Sequence, residues 1–158
     1  MLSMMDLIIA LKGIPLFASV HGESLKRVAE TIREMKIPAG EVIFAEHDLG
    51  DEMYIVHSGR VLIFHETGGR ENVLDSIRSG GYFGEMAIVD EQPRSASART
   101  SEDTVLLVLH KNDFRTAVND YPDIAFEVMK ELIRRLREAD QRIRALAGEL
   151  QRGQIETE

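Results

Sequence analysis

Hydrophobic positions change their period twice along this chain. Over residues 22–36, Leu25, Val28, Ala29, Ile32 and Met35 recur at three- and four-residue spacing, which puts them on one helical face. Residues 1–36 are therefore expected to be helical. Over residues 37–109 short β-rich runs take over, at 42–44, 53–56, 60–64, 72–77 and 104–109. Gly40, Gly50, Gly59, the Gly68-Gly69 pair and the Gly80-Gly81 pair separate them and read as turns. Short strands at roughly even spacing predict an antiparallel β-roll or jelly roll, mainly β within an α+β chain. From His110 the helical period returns. Asn112 or Asp113 is expected to cap a short helix ending near Tyr121, and Pro122 suits the first turn of a second helix, from 123 to about 150. At 1.5 Å per residue that helix is roughly 40 Å long, more than a small roll needs for its own core.

The long helix carries a second pattern. Met129, Leu132, Leu136, Ala139, Ile143, Leu146 and Leu150 follow alternating spacings of three and four, the a/d seam of a coiled coil. A single amphipathic helix packed on its own domain would produce a similar stripe. The seam outruns any intradomain contact, which favours pairing into a homodimer. Phe126, Val128 and Ile133 lie off the seam and are expected to dock the helix start onto the roll. Gly148 and Gly153 are expected to fray its end, leaving residues 151–158 as an acidic tail.

Composition narrows the classes. One domain over 1–158 is expected, divided into N-terminal helices (1–36), roll (37–109), C-terminal helices (110–150) and tail. With 44% hydrophobic and 29% charged residues the chain reads as an ordinary globular protein. A net charge of −8 argues against nucleic-acid binding, which needs clustered cations. The lack of cysteine excludes disulfides, thiolate metal sites and a cysteine nucleophile. The apolar run at 7–11 is too short to span a bilayer and has no signal-peptide flanks, so a cytoplasmic location without membrane attachment is expected. His21, His47, His57, His65 and His110 form no His-x-His pair, which leaves a cupin-like metalloenzyme as a remote alternative and no metal expected.

Residues 80–100, GGYFGEMAIVDEQPRSASART, join two predicted strands but are too long for a tight hairpin. Gly84 opens a short helical turn whose free N–H groups favour an anion. Arg94 supplies forked donors suited to a phosphodiester, and Ser95 adds a hydroxyl. Ala96 and Ala98 keep the wall low. Glu85 would repel a bare phosphate, yet suits a ligand that also offers a hydroxyl donor, such as a ribose. The same residues also admit a plain Glu85–Arg94 ion pair bracing a long loop, and the residue types alone leave both readings open.

The stretch FGEMAIVDEQPRSASA closely resembles the phosphate-binding cassette of the cyclic nucleotide-binding domain family. PAGEVIF, HDLGDEMYIVHSGRV and the closing long helix follow in the family's order, so the resemblance covers about residues 14–146, with the cassette at 80–98. It implies that Glu85 accepts from a ribose 2′-hydroxyl and that Gly84, Met86 and Ala87 present backbone to the sugar phosphate. It also implies that Arg94 pairs with the cyclic phosphate, beside Ser95 and Ala96. The ligand would be cyclic AMP or cyclic GMP, with no other cofactor and no catalysis. The long helix would act as hinge and dimer interface and report to an effector protein. Two features depart from the bacterial activators of the family. Those activators continue into a helix-turn-helix domain, which this sequence does not show, so DNA binding is not expected of it. Where their lid helix reads adenine with a Thr-Ser pair, this chain has Ala139 and Asp140; Asp140, an acceptor when ionised, suits either an adenine amine or a guanine edge. A degenerate dimerisation or docking scaffold that binds no nucleotide is the main alternative.

Overall fold

The computed structural model describes residues 1–157. Two antiparallel four-stranded sheets face each other, with helices packed on the outside of one of them. The chain opens with α1 (Met4–Lys12), whose N-terminus is closed by a capping box between Ser3 and Asp6. A 3₁₀ turn (Pro15–Phe17) and α2 (Gly22–Ala29) follow. Then come β1 (Arg33–Ile37), β2 (Val42–Phe44), β3 (Glu52–Ser58), β4 (Arg60–Thr67), β5 (Arg70–Arg78) and β6 (Tyr82–Phe83). A second 3₁₀ turn (Glu85–Ile88) precedes β7 (Ser97–Thr100), β8 (Thr104–His110), α3 (Lys111–Asp120) and α4 (Asp123–Ile155).

The first sheet runs β1-β8-β3-β6 and the second β2-β7-β4-β5. Between them lies a core of Tyr54, Val56, Val61, Phe83, Ala98, Leu106 and Val108. The other face of the first sheet presents Met53, Ile55, Leu107 and Leu109 to Leu11, Phe17, Leu25, Phe114, Ile124 and Val128 from the helices. This explains why β3 and β8 read as unbroken apolar runs: both faces are covered, so period-two alternation disappears.

Several sequence expectations need correction. The helix over 22–36 stops at Ala29, and 33–37 form β1, paired with β8 from Arg33↔Val108 to Ile37↔Thr104. Met35 and Ile37 alternate onto the core between the sheets, a period-two signal that the three-residue step from Ile32 to Met35 had masked. The short strands β6 and β7 escaped notice within the long joining segment. The cap of α3 is His110, whose ring nitrogen accepts from the Asn112 N–H, rather than Asn112 or Asp113. Gly148 and Gly153 do not end α4, which runs on to Ile155. Of the three residues assigned to docking, only Val128 is buried. Phe126 and Ile133 are exposed, and Ile124 takes their place in the core.

Candidate functional site

Gly84 adopts φ 72°, the left-handed conformation that costs other residues energy, and so turns the chain from β6 directly into the 3₁₀ turn. A side chain there would also collide with Arg94, since a Cβ on Gly84 would lie 2.6 Å from its Nη1. Within the turn Glu85 is half-buried, Met86 exposed and Ala87 buried.

Arg94 sits on an aromatic floor. Its guanidinium carbon lies 4.1 Å from the Phe44 ring centre and 5.8 Å from that of Tyr54. Nη2 donates to the Glu52 carbonyl at 2.8 Å and Nη1 to the Gly84 carbonyl at 3.5 Å, whereas Nε is buried with no partner. The loop before β3 wraps this residue. His47 N–H donates to the Arg94 carbonyl, Arg94 N–H donates to the Asp48 carbonyl, and Gly50 backs the side chain so closely that an added Cβ would lie 2.1 Å from Nε. Burial pulls the Arg94 pKa below its ordinary value, against the opposing fields of Tyr54, Asp51, Glu52 and Asp48. Arginine remains charged under such shifts. The Tyr54 phenol is pushed well up, by burial first and then by the neighbouring Glu52, so it stays protonated.

The Glu85–Arg94 ion pair is not among the contacts formed. Glu85 instead faces α4, where Arg135 Nη1 lies 3.4 Å from Oε1. Arg135 also donates to the Tyr82 hydroxyl at 3.1 Å and to Glu131 at 3.2 Å. Partial burial lowers its pKa, but Tyr82, Glu131 and Glu85 outweigh that and raise it overall. One arginine thus ties the long helix to the cassette. Nothing in the sequence distinguished it from its arginine neighbours, because the contact spans fifty residues.

A cavity of about 260 Å³ opens between the cassette and the second sheet. Gly84, Glu85, Ser95 and Ala96 line it on one side, and Phe44, Ile63 and Ile77 on the other. Arg94 lies one layer behind this wall, in contact with Phe44 and Gly84. A larger cleft of about 460 Å³, lined by Lys36, Pro38, Ser58 and Asp103, contains no cassette residue. Cavity volume and chemistry therefore disagree, since the cassette residues line the smaller space. Ser95 is exposed at the cavity, free to turn its hydroxyl inward. Asp140 is not brought to the cavity: it stands exposed on α4, paired with Arg144 at 3.1 Å, and Ala139 is exposed beside it.

The fold also assembles a histidine–carboxylate cluster that sequence spacing did not reveal. Ligand atoms of Asp51, Glu52 and His110 lie within 4.8 Å of one another. Each group is already engaged. His110 Nε2 meets Asp51 at 3.0 Å, Nδ1 accepts from Asn112, and Glu52 holds Arg33 and the Tyr54 hydroxyl. These bonds give the cluster a structural role at the ends of β3 and β8. Among the described residues no helix is long and apolar enough to cross a membrane.

Comparison with known proteins places this geometry. The profile of the cyclic nucleotide-binding domain matches residues 34–121. The chain is similar to the cyclic AMP receptor protein of Thermus thermophilus, with 38% identity over 146 residues that make up 92% of this chain and 68% of the relative. The N-terminal domain of a transcriptional regulator from Streptomyces coelicolor superposes with a TM-score of 0.80 at 29% identity, covering 85% of this chain and 94% of that one. The regulatory domain of Toxoplasma gondii PKA, crystallised with cAMP, superposes with a TM-score of 0.69 at 30% identity, covering 74% of this chain and 45% of that one. The two-sheet roll, the cassette and the closing helix accordingly make this chain a member of the cyclic nucleotide-binding domain family of regulatory sensors.

Proposed function

We propose that the chain binds cyclic AMP or cyclic GMP in the cavity beside the cassette and signals through α4. The carrying observation is the seat of Arg94: a buried guanidinium whose Nη1 lies directly behind the Gly84 turn, held there only by a long 3.5 Å bond to the Gly84 carbonyl. An anionic oxygen entering at Gly84 meets Nη1 in a low-dielectric surround, where charge-assisted bonds are strongest. Glu85 offers its carboxylate to the ribose hydroxyl, Ser95 adds a donor, and Met86 and Ala87 contribute backbone. The cavity is slightly smaller than the roughly 300–1,000 Å³ of ordinary small-molecule sites. It suits the sugar phosphate, with the base extending beyond it.

Arg135 provides the output. It holds Glu85 to α4, so a ligand hydroxyl arriving at Glu85 changes the hold on the helix. Such a switch works only if the two helix arrangements differ in ligand affinity. The helix itself pairs with a second copy along the Met129–Leu150 seam, and the dimer reports to an effector protein. Its seam residues are exposed in the single chain, as an unpaired interface would be. Asp140 lies off the cavity in one chain, so the base is read from elsewhere unless pairing or helix movement brings Asp140 close. Calorimetric titration with each nucleotide tests the reading. Saturable binding of either one, with one site per chain, is expected; no binding of either at millimolar concentration overturns it and leaves a scaffold of the same fold.

A further inference from the structure

Beyond Arg135, no described ion pair or hydrogen bond joins α4 to the roll. Ile124 and Val128 pack the helix start into the core, and from Leu136 onward its apolar residues form a bare stripe. In heptad terms Met129, Leu136, Ile143 and Leu150 are a positions, and Leu132, Ala139 and Leu146 are d positions. Leu136 is 70% exposed and Ile143 65%, and with Leu146 and Leu150 they make a contiguous exposed apolar stripe of the kind that marks an interaction surface. Phe126 and Ile133 fall at e positions and widen the stripe on one side. Arg135 is a g residue on the other flank, between the seam and the roll.

Register now decides what meets Arg135. In a parallel two-stranded coiled coil a g residue faces the e residue five positions further along the other chain. For Arg135 that residue is the partner's Asp140, of opposite charge. The next g residues, Arg142 and Glu149, face the uncharged positions 147 and 154, so this register carries no like-charge clash along the free part of the helix. In the single chain Asp140 is half exposed and bonded only to Arg144 of its own helix. Arg135 already serves Glu85, Glu131 and Tyr82, and a guanidinium has five donors to share.

We propose that a second copy of this chain, paired in parallel and in register along α4, brings its Asp140 to Arg135. The arginine that holds Glu85 is then shared between the cassette and the dimer seam. This rests on the dimer reading above. It goes further in making the partner contribute a residue to the site, so that anything drawing Arg135 toward one acid weakens its hold on the other. The link is reciprocal, because a coupling free energy between two sites has the same value from either end.

Two measurements on the full chain separate the layers. The chain has no cysteine, so Ala139→Cys introduces a unique thiol at a d position. Under mild oxidation with oxidised glutathione it is expected to form an interchain disulfide. Absence of the disulfide refutes the parallel in-register dimer and the pair with it. The second measurement is the dimer dissociation constant, by sedimentation, for wild type, Arg135→Gln, Asp140→Asn and the double variant. Each single change is expected to weaken the dimer about threefold, since two symmetry-related exposed pairs are lost. The double variant should be no weaker than either single one. If the disulfide forms but the single effects are absent, or multiply in the double variant, the dimer stands and the Arg135–Asp140 pair is wrong. Asp140→Glu, which keeps the charge, should restore most of the dimer affinity, as a loss through misfolding would not.

Discussion

In the proposed site, nucleotide binding is expected to depend most on Arg94. Removing one member of a buried charged pair costs about 2–5 kcal/mol. Since 1.4 kcal/mol is a factor of ten, Arg94→Ala is expected to weaken nucleotide binding at least ~30-fold by calorimetry on folded protein. Equal binding by wild type and variant would remove Arg94 from the site. Glu85→Ala should cost less, because it removes a hydroxyl acceptor and also a negative charge close to the phosphate. Gly50 yields a sharper test of the seat itself. Its Cβ would fall 2.1 Å from Arg94 Nε, so Gly50→Ala must displace the guanidinium from its aromatic floor. Both a lower melting temperature and weaker binding are expected, and wild-type affinity in that variant would show that the seat is not needed. Gly84, Glu85 and Arg94 were legible in sequence because they share one short segment with a family signature. Phe44, Gly50 and Arg135 were not, because each joins the site only through contacts across the fold.

At the scale of elements, periodicity identified most of the fold and failed where two periods overlap. The strands at 42–44, 53–56, 60–64, 72–77 and 104–109 all exist, the first with the expected bounds and the others longer by one to three residues. β1 was absorbed into α2 because Ile32 and Met35 also satisfy helical spacing; only the free edge of β8 decides for a strand there. The seam of α4 shows the opposite case, a pattern fully legible in sequence that the single chain leaves exposed. Leu136 stands near its middle, 70% exposed. Leu136→Glu would place two charges across the seam of a dimer, where burial of an unpaired carboxylate is costly. The variant is expected to sediment as a monomer at concentrations where wild type is dimeric, with unchanged far-ultraviolet circular dichroism. A wild type that stays monomeric at high micromolar concentration would contradict the pairing.

For the whole molecule, two stacked cores share the first sheet, so the cassette is braced by strands on one side and by α3 and α4 on the other. Two surface carboxylates make folding depend on pH in the acid range. Glu71 is held below its ordinary 4.5 by hydrogen bonds from Arg99, and Glu131 by Arg134 and Arg135. A depressed folded-state pKa means that the unfolded chain binds more protons in acid. The contribution is therefore complete above pH 4.5 and lost as pH falls through the folded values. The melting temperature should be flat from pH 7 to about 5 and drop below 4.5, modestly because these groups are exposed. A rise on acidification would contradict the sign. Ligand acts on the same equilibrium from the other direction. A nucleotide bound only by the folded state stabilises it by about 2.7 kcal/mol at a hundred times its dissociation constant. For a chain of this length each kcal/mol moves the midpoint by roughly 2–4 °C, so a shift of about 5–10 °C is expected by scanning calorimetry. Arg94→Ala, bound at least ~30-fold more weakly, should show at most about a third of it at the same nucleotide concentration. If the variant shifts as far as wild type, the stabilising contact lies elsewhere than in the cassette.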